Sequence, residues 1–398
     1  MRRTATGVLS SDRTRETQRA YRRAGCSYRW TGPRRTFRHR NDGRITAALK
    51  ARGRYGRGMV VLFGRHEEFA AHATGEWHPE RAERLEAVFA GVADSPAAEV
   101  TVPFEPRRAT RGELEIVHDP LYIERIEDHC LSGGGHLDQD TVAAPASFDA
   151  ALRAAGAGLD AVERLRNGEG DVAFLAVRPP GHHALGARAM GFCLFNNVAV
   201  TAGLIAAQGE RVMVLDWDAH HGNGTQEIFY ERSDVLYVSL HQFPFYPGTG
   251  SLSEVGTGAG RGATVNLPFP AGTAGDAYRL AFDDVVAPLA EEFAPGWLLI
   301  SAGFDAHRAD PLTDLGLTAG DFADLTSRAV RFVPPGRLIA FLEGGYDLTS
   351  LALCVGACVA ALGGVDYRPE AASRGGTTEH AREVVATAGR YHRAALTR

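Results

Sequence analysis

Val214-Leu215-Asp216-Trp217-Asp218-Ala219-His220-His221-Gly222-Asn223 is a hydrophobic run that ends abruptly in two acids and two histidines. Alternate residues of a strand share a face, so Asp216, Asp218 and His220 are expected on one side, beyond the point where Val214 and Leu215 supply core. A single acid or histidine at a strand end is ordinarily a cap or a satisfied polar group. Four ionisable groups between positions 216 and 221, left unpaired beside a core, would be heavily penalised by desolvation. A bound cation removes that penalty.

Three more stretches share this design. Residues 171–177 form a short apolar run leading into Arg178-Pro179-Pro180-Gly181-His182-His183, and residues 297–304 form another that releases Asp305. Phe341-Leu342-Glu343-Gly344-Gly345-Tyr346 is the fourth, with glycines that let a tyrosine reach over the rim. Open parallel sheets bind ligands outside the carboxyl ends of their strands. Asp218, His220 and Asp305 then make a three-donor metal site with open positions, as a catalytic zinc requires and a structural zinc does not. His182 and His183 cannot both face the metal from one tight turn, so they are read as proton-transfer groups. Asp216 supports a histidine from behind, and the Tyr346 phenol can donate to a carbonyl oxygen that becomes negative.

Apolar runs at 60–63, 172–177, 211–215, 235–240, 297–300 and 338–342 alternate with Ala-rich helical stretches such as 148–165 and 197–208. This alternation predicts an α/β fold, a mostly parallel sheet covered on both faces. The Gly-rich stretch 248–262 lacks Gly-Lys-Ser/Thr, so it is read as a pocket-building loop rather than a phosphate cradle. Residues 348–365 are read as a buried helix and 377–396 as an amphipathic one. No stretch approaches the roughly 20 apolar residues of a membrane span.

The chain of 398 residues has a net charge of −5 that hides an asymmetry. Residues 1–58 carry 17 Lys and Arg against 3 Asp and Glu, while the remainder carries 26 against 45. This leader lacks the apolar segment of a secretory signal. It reads as a start-site artefact ahead of Met59, the alternatives being a nucleic-acid-binding arm or a transit peptide. The expected organisation is therefore a leader (1–58), a single catalytic domain (59–368) and a helical tail (369–398). Five cysteines without zinc-finger spacing and without a signal peptide favour a reducing, cytoplasmic setting, with Cys354 and Cys358 as small buried residues.

The motifs Arg178-Pro179-Pro180-Gly181-His182-His183-Ala184, Gly191-Phe192-Cys193-Leu194-Phe195-Asn196-Asn197, Asp216 to Gln226, Ser301-Ala302-Gly303-Phe304-Asp305 and Leu342-Glu343-Gly344-Gly345-Tyr346 resemble those of the zinc-dependent histone deacetylase family, in its class II-like bacterial branch. His78-Pro79-Glu80-Arg81 and the stretch from Phe245 to Gly250 are similar to further segments of it. The resemblance implies an arginase/deacetylase fold with an eight-stranded, mostly parallel sheet between helices. It implies Zn2+ (or Fe2+ in the cell) on Asp218, His220 and Asp305, and His183 as general base and then acid. His182 would be its electrostatic partner, and Tyr346 would polarise an acyl carbonyl. Phe192 and Tyr246 would wall an acyl-lysine tunnel, with the Gly191 carbonyl receiving the substrate N–H. A potassium ion would use Asp216, Asp218, His220, Ser239 and the Leu240 carbonyl, and Phe229 and Val235 match a second such position.

Two departures bear on function. Asn223 stands where class I members carry Asp beside the general base, and Leu312 stands where polyamine-selective relatives carry a Glu gatekeeper. The expected activity is hydrolysis of N-acetyl or short N-acyl amides, foremost acetyl-lysine of proteins. An acetylpolyamine amidohydrolase is the main alternative, and a non-catalytic acyl-lysine-binding protein the more distant one. An arginase-like binuclear manganese site would want a second carboxylate cluster. No membrane partner is expected, nucleic acid enters only through the leader, and a homo-oligomer stays open. His221 is assigned no chemistry.

Overall fold

A computed structural model describes residues 58–396. The expectations placed on the leader, and on Cys26 within it, lie outside the described residues apart from Gly58. The strands are β1 (Val61–Gly64), β2 (Thr101–Phe104), β3 (Gly135–His136), β4 (Val142–Ala143), β5 (Val172–Leu175), β6 (Val212–Asp216), β7 (Val235–Gln242), β8 (Thr264–Phe269), β9 (Trp297–Ala302) and β10 (Leu338–Leu342). Strands β3 and β4 form a small antiparallel pair, and the other eight form one sheet in the order β2-β1-β5-β10-β9-β6-β7-β8. Every pairing within the large sheet is parallel.

The six apolar runs expected from sequence are β1, β5, β6, β7, β9 and β10, the interior of the sheet. Each is buried along its whole length, which requires cover on both faces and explains why these strands read as unbroken apolar runs. The two strands without such a run, β2 and β8, are the edges. Each contains a proline, Pro103 and Pro268, which cannot donate to a ladder and is tolerated where a neighbour is missing.

Two groups of helices supply the cover. The helix Leu348–Leu362 packs against Glu83–Ala93 and Ala319–Ala329, and the helix Ser147–Arg166 packs against Asn197–Ala207. Leu348–Leu362 is capped by Asp347, whose carboxylate accepts the Ser350 N–H at 2.8 Å, and it ends three residues earlier than expected, before Gly363-Gly364. Cys354 and Cys358 are both buried in it. The helix Glu379–Leu396 is amphipathic as expected, and its Ala381, Val384, Val385 and Ala388 join the main core. Among the described residues no helix is long and apolar enough to cross a membrane.

Candidate metal and catalytic site

The strands carrying the four motifs, β5, β10, β9 and β6, are consecutive neighbours in the middle of the sheet. Their carboxyl ends therefore meet. Strand β6 stops at Asp216, so the expected alternation of Asp216, Asp218 and His220 along one strand face is corrected: Asp218 and His220 belong to the loop beyond it. Short-range side-chain bonds aim them instead. The Asp216 carboxylate accepts the Asp218 N–H at 3.1 Å, and the Asp218 carboxylate accepts the His220 N–H at 2.9 Å, successive Asx-type turns.

Asp305, just past β9, accepts the Ala219 N–H through Oδ1 at 2.8 Å and presents Oδ2 to His220 Nδ1 at 3.0 Å. Asp218 Oδ1 lies 3.2 Å from the same nitrogen. One donor atom from each of the three residues falls within 4.8 Å of the others. The two carboxylates are buried, and 12% of the His220 side chain is exposed. A methyl group at Gly303 would overlap Asp218, and one at Gly344 would overlap Asp305, so bare backbone is needed for the carboxylates to converge.

Their electrostatics favour positive charge among the three groups. Burial raises the Asp305 carboxyl to about 7, reinforced by Asp218. Burial opposes charge on His220, yet Asp218 and Asp305 outweigh it and hold its pKa up at about 10. A proton on His220 offsets one of the two carboxylate charges, and a divalent metal ion would take its place and balance both, since ligands bind in their deprotonated forms. Two carboxylate oxygens and one imidazole nitrogen fit such an ion.

The tandem histidines face different partners. His182 Nδ1 lies 3.0 Å from Asp216 Oδ2, an oxygen that also accepts the Tyr237 hydroxyl at 3.1 Å. His183 Nδ1 lies 2.8 Å from the Asn223 amide oxygen, while the Asn223 amide nitrogen donates to the Met190 sulfur at 3.3 Å. The two rings are 4.1 Å apart between centroids, and the His183 ring is 6.1 Å from that of His220. Burial works against charge on His182, but Asp216 and Asp218 hold its pKa at about 10. Burial drives His183 well below the usual range, and the charge on His182 adds to the effect. One imidazole therefore carries a proton, and its neighbour is neutral with Nδ1–H donated to Asn223 and Nε2 free to accept.

Backbone bonds fix the turn that carries them. Glu343 accepts the Gly181 and His182 N–H groups at 2.7 and 3.2 Å, Asn196 Nδ2 donates to the Ala184 carbonyl at 3.1 Å, and the His182 carbonyl accepts the Thr225 N–H at 3.1 Å. On the other side, Gly345 takes φ +116°, and the Tyr346 N–H donates to Asp310 Oδ2 at 2.7 Å. The Arg84 guanidinium lies 5.0 Å from the Tyr346 ring centroid, and its Nε donates to the Gly345 carbonyl at 2.7 Å. Arg84 is itself paired with Glu80, which also binds Arg178, all three fully buried. Burial lifts the Tyr346 phenol well above its ordinary value, so it stays protonated and able to donate.

Aromatic side chains gather around the histidines and Tyr346. Phe192, with φ +67°, stands edge-on to Tyr346 at 5.8 Å and to His78 at 4.7 Å. Tyr246 lies 5.2 Å from His183, and Phe245 lies 5.5 Å from His220. The Gly191 carbonyl accepts the Cys193 thiol at 3.2 Å. Leu312 enters through Asp310, whose Oδ1 accepts the Leu312 N–H at 3.0 Å. Ser239 pairs with Asp216 across β6 and β7, with Leu240 next along β7. Phe229 ends the helix Asn223–Phe229, and Val235 opens β7. His221 is buried between Thr249 and Gln226.

Sequence reading did not single out Glu343, Asp310, Arg84 or Tyr237. A Glu at the glycine-rich end of an apolar run was the available signal for Glu343, whereas Asp310 lies in the loop beyond β9 with no such pattern around it. Arg84 and Tyr237 look ordinary in a helix and a strand, and only the fold brings them here.

A parallel α/β sheet with a metal-donor triad and paired histidines at its carboxyl edge defines a hydrolase-type enzyme. Residues 78–362 match the family model described as histone deacetylase domain, and the chain belongs to that family. A probable deacetylase of Archaeoglobus fulgidus is 43% identical over 299 residues, 73% of this chain and 82% of the relative. A histone deacetylase-like amidohydrolase of Pseudomonas aeruginosa is 41% identical over 65% of this chain and 69% of the relative. Histone deacetylase 15 of Arabidopsis thaliana is 40% identical over 75% of this chain, which spans only 54% of that plant protein. The crystal structure of the HDA15 HD domain superposes with a TM-score of 0.77 at 36% identity, covering 84% of this chain and 94% of that one.

Proposed function

We propose that the protein hydrolyses N-acetyl and other short N-acyl amides, foremost those of lysine side chains in proteins, with Zn2+ on Asp218, His220 and Asp305, in the reducing interior of the cell. The observation that carries this reading is the convergence of that triad with His183 paired to Asn223, His182 paired to Asp216 and the buried phenol of Tyr346. When bound, the metal would acidify water and polarise the acyl carbonyl.

The chain's own residues supply the rest. His183, oriented by Asn223, takes a proton from water through Nε2 and later returns it to the departing amine. His182, held by Asp216, keeps positive charge beside the developing anion. Tyr346 donates its O–H to the acyl oxygen as charge builds there, pre-aimed by Asp310 and Arg84. Phe192 and Tyr246 exclude water from the acyl-lysine stem, and the Gly191 carbonyl takes the substrate N–H. Potassium on Asp216, Asp218, His220, Ser239 and Leu240 would add positive charge behind the triad. Leu312 supplies no carboxylate for a second cationic group, which favours acyl-lysine over acetylpolyamines.

The deciding experiment is release of acetate from acetyl-lysine peptides by the purified full chain, before and after chelation and after readdition of Zn2+ or Fe2+, with N-acetylputrescine in parallel. Metal-dependent peptide turnover is expected. Turnover that survives complete metal removal, or a large preference for the polyamine, defeats the metal or the substrate assignment respectively.

A further inference from the structure

We infer that Glu343 is a positioning residue that ties the tandem-histidine turn and the tyrosine turn together across the site. The inference deepens the amide-hydrolase reading and rests on it for its kinetic consequences. Glu343 is completely buried at the carboxyl end of β10, between the strand that delivers His182 and His183 and the strand that delivers Asp305. Its carboxylate accepts hydrogen bonds from the Gly181 N–H at 2.7 Å, the His182 N–H at 3.2 Å and the Ser301 hydroxyl at 3.4 Å, all neutral donors. Its backbone carbonyl accepts from Arg84, the cation that binds the Gly345 carbonyl and lies on the Tyr346 ring. One residue thus holds the base turn with its side chain and the tyrosine's support with its main chain.

A buried carboxylate bonded to neutral donors is costly for stability, and an apolar residue would suit the end of a central strand better. What the carboxylate provides is reach: one oxygen, Oε2, spans two successive N–H groups of the turn. Displacing a reacting group by about 1 Å can cost on the order of 100-fold in rate. The Glu343 carboxylate is engaged with the Gly181 and His182 N–H groups and the Ser301 hydroxyl, so its removal is expected to affect turnover rather than substrate affinity.

Two variants of the full chain separate reach from charge. Glu343→Gln keeps an acceptor at the same distance and cannot ionise, whereas Glu343→Asp keeps an ionisable carboxyl and withdraws it by one C–C bond, ~1.5 Å. Glu343→Asp is expected to lower kcat at least tenfold with KM within twofold of wild type, and Glu343→Gln to stay within about fivefold in kcat. Hydrogen exchange of the backbone over residues 178–184 gives a readout independent of activity: protection of Gly181 and His182 should fall in the Asp variant and persist in the Gln variant. Equal kcat losses in both variants, or unchanged exchange in Glu343→Asp, overturn the assignment. Absence of wild-type amide hydrolysis would defeat the functional reading instead, and the exchange measurement would still decide the role of Glu343.

Discussion

At the level of single residues, the proposed reaction rests on side chains whose protonation is set by their neighbours. Burial holds Tyr346 as a neutral phenol, and Arg84 and Phe192 fix its ring. Tyr346→Phe preserves both ring contacts and removes one donor to the developing oxyanion, so kcat on an acetyl-lysine peptide should fall about 100-fold or more with little change in KM. Steady-state kinetics on the metal-loaded variant checks this, and a loss below tenfold would remove Tyr346 from the chemistry. Leu312 makes a second test. Its backbone is pinned by Asp310, so Leu312→Glu introduces a carboxylate without loosening the loop. The ratio of kcat/KM for N-acetylputrescine over acetyl-lysine peptide should rise about tenfold, equivalent to ~1.4 kcal/mol, and the gain should shrink in high salt. An unchanged ratio would mean that position 312 does not face the leaving amine.

At the level of elements, the turns and caps decide where those side chains point, and here the sequence was only partly legible. The four motif-bearing strands were visible as apolar runs because both of their faces are buried. The edge strands β2 and β8 were hidden by prolines and by the absence of a second neighbour. His220 and Asp218 were recognisable as candidate metal donors by residue type, but hydrogen bonds in a loop, not strand alternation, aim them. Glu343, Asp310 and Arg84 act by bonding backbone groups distant in sequence, and no local pattern announces that. Asn196 shows how a cap and a site merge. Its oxygen caps the helix Asn197–Ala207 at the Ala199 N–H, and its nitrogen holds the Ala184 carbonyl beside the tandem histidines. Asn196→Ala should cost about 2–4 kcal/mol, combining a lost cap with unsatisfied buried backbone groups, and should lower kcat as well. Urea unfolding alongside kinetics tests both parts, and full activity in a destabilised variant would separate cap from site.

On the scale of the whole molecule, the interior treats its histidines in opposite ways. Within the site, His182 is held charged by its acids, whereas burial lowers His72, His118 and His221 to about 4 and keeps them neutral. His118 is the clearest case: Nδ1 faces the Leu185 carbonyl at 3.1 Å and Nε2 accepts the Asn196 N–H at 2.9 Å, a pairing only a neutral ring can make. In the unfolded chain this imidazole takes its proton near 6.5, but in the folded chain only near 4. Between those values the unfolded state binds the extra proton, so the contribution of His118 is complete above pH 6.5 and declines as pH falls toward 4. The decline amounts to ~3 kcal/mol at ~1.4 kcal/mol per unit. Asp305 and Glu343, whose carboxyls burial raises, titrate in the opposite sense over much of this range, so the pH dependence of the wild type alone cannot isolate the effect. The difference between wild type and His118→Gln can, because the other groups cancel. The variant should be less stable at pH 7, and the gap should narrow by about 3 kcal/mol as pH falls from 6.5 to 4. Urea titrations of both proteins across that range measure it, and a gap independent of pH would show that the folded protein accommodates a charged His118.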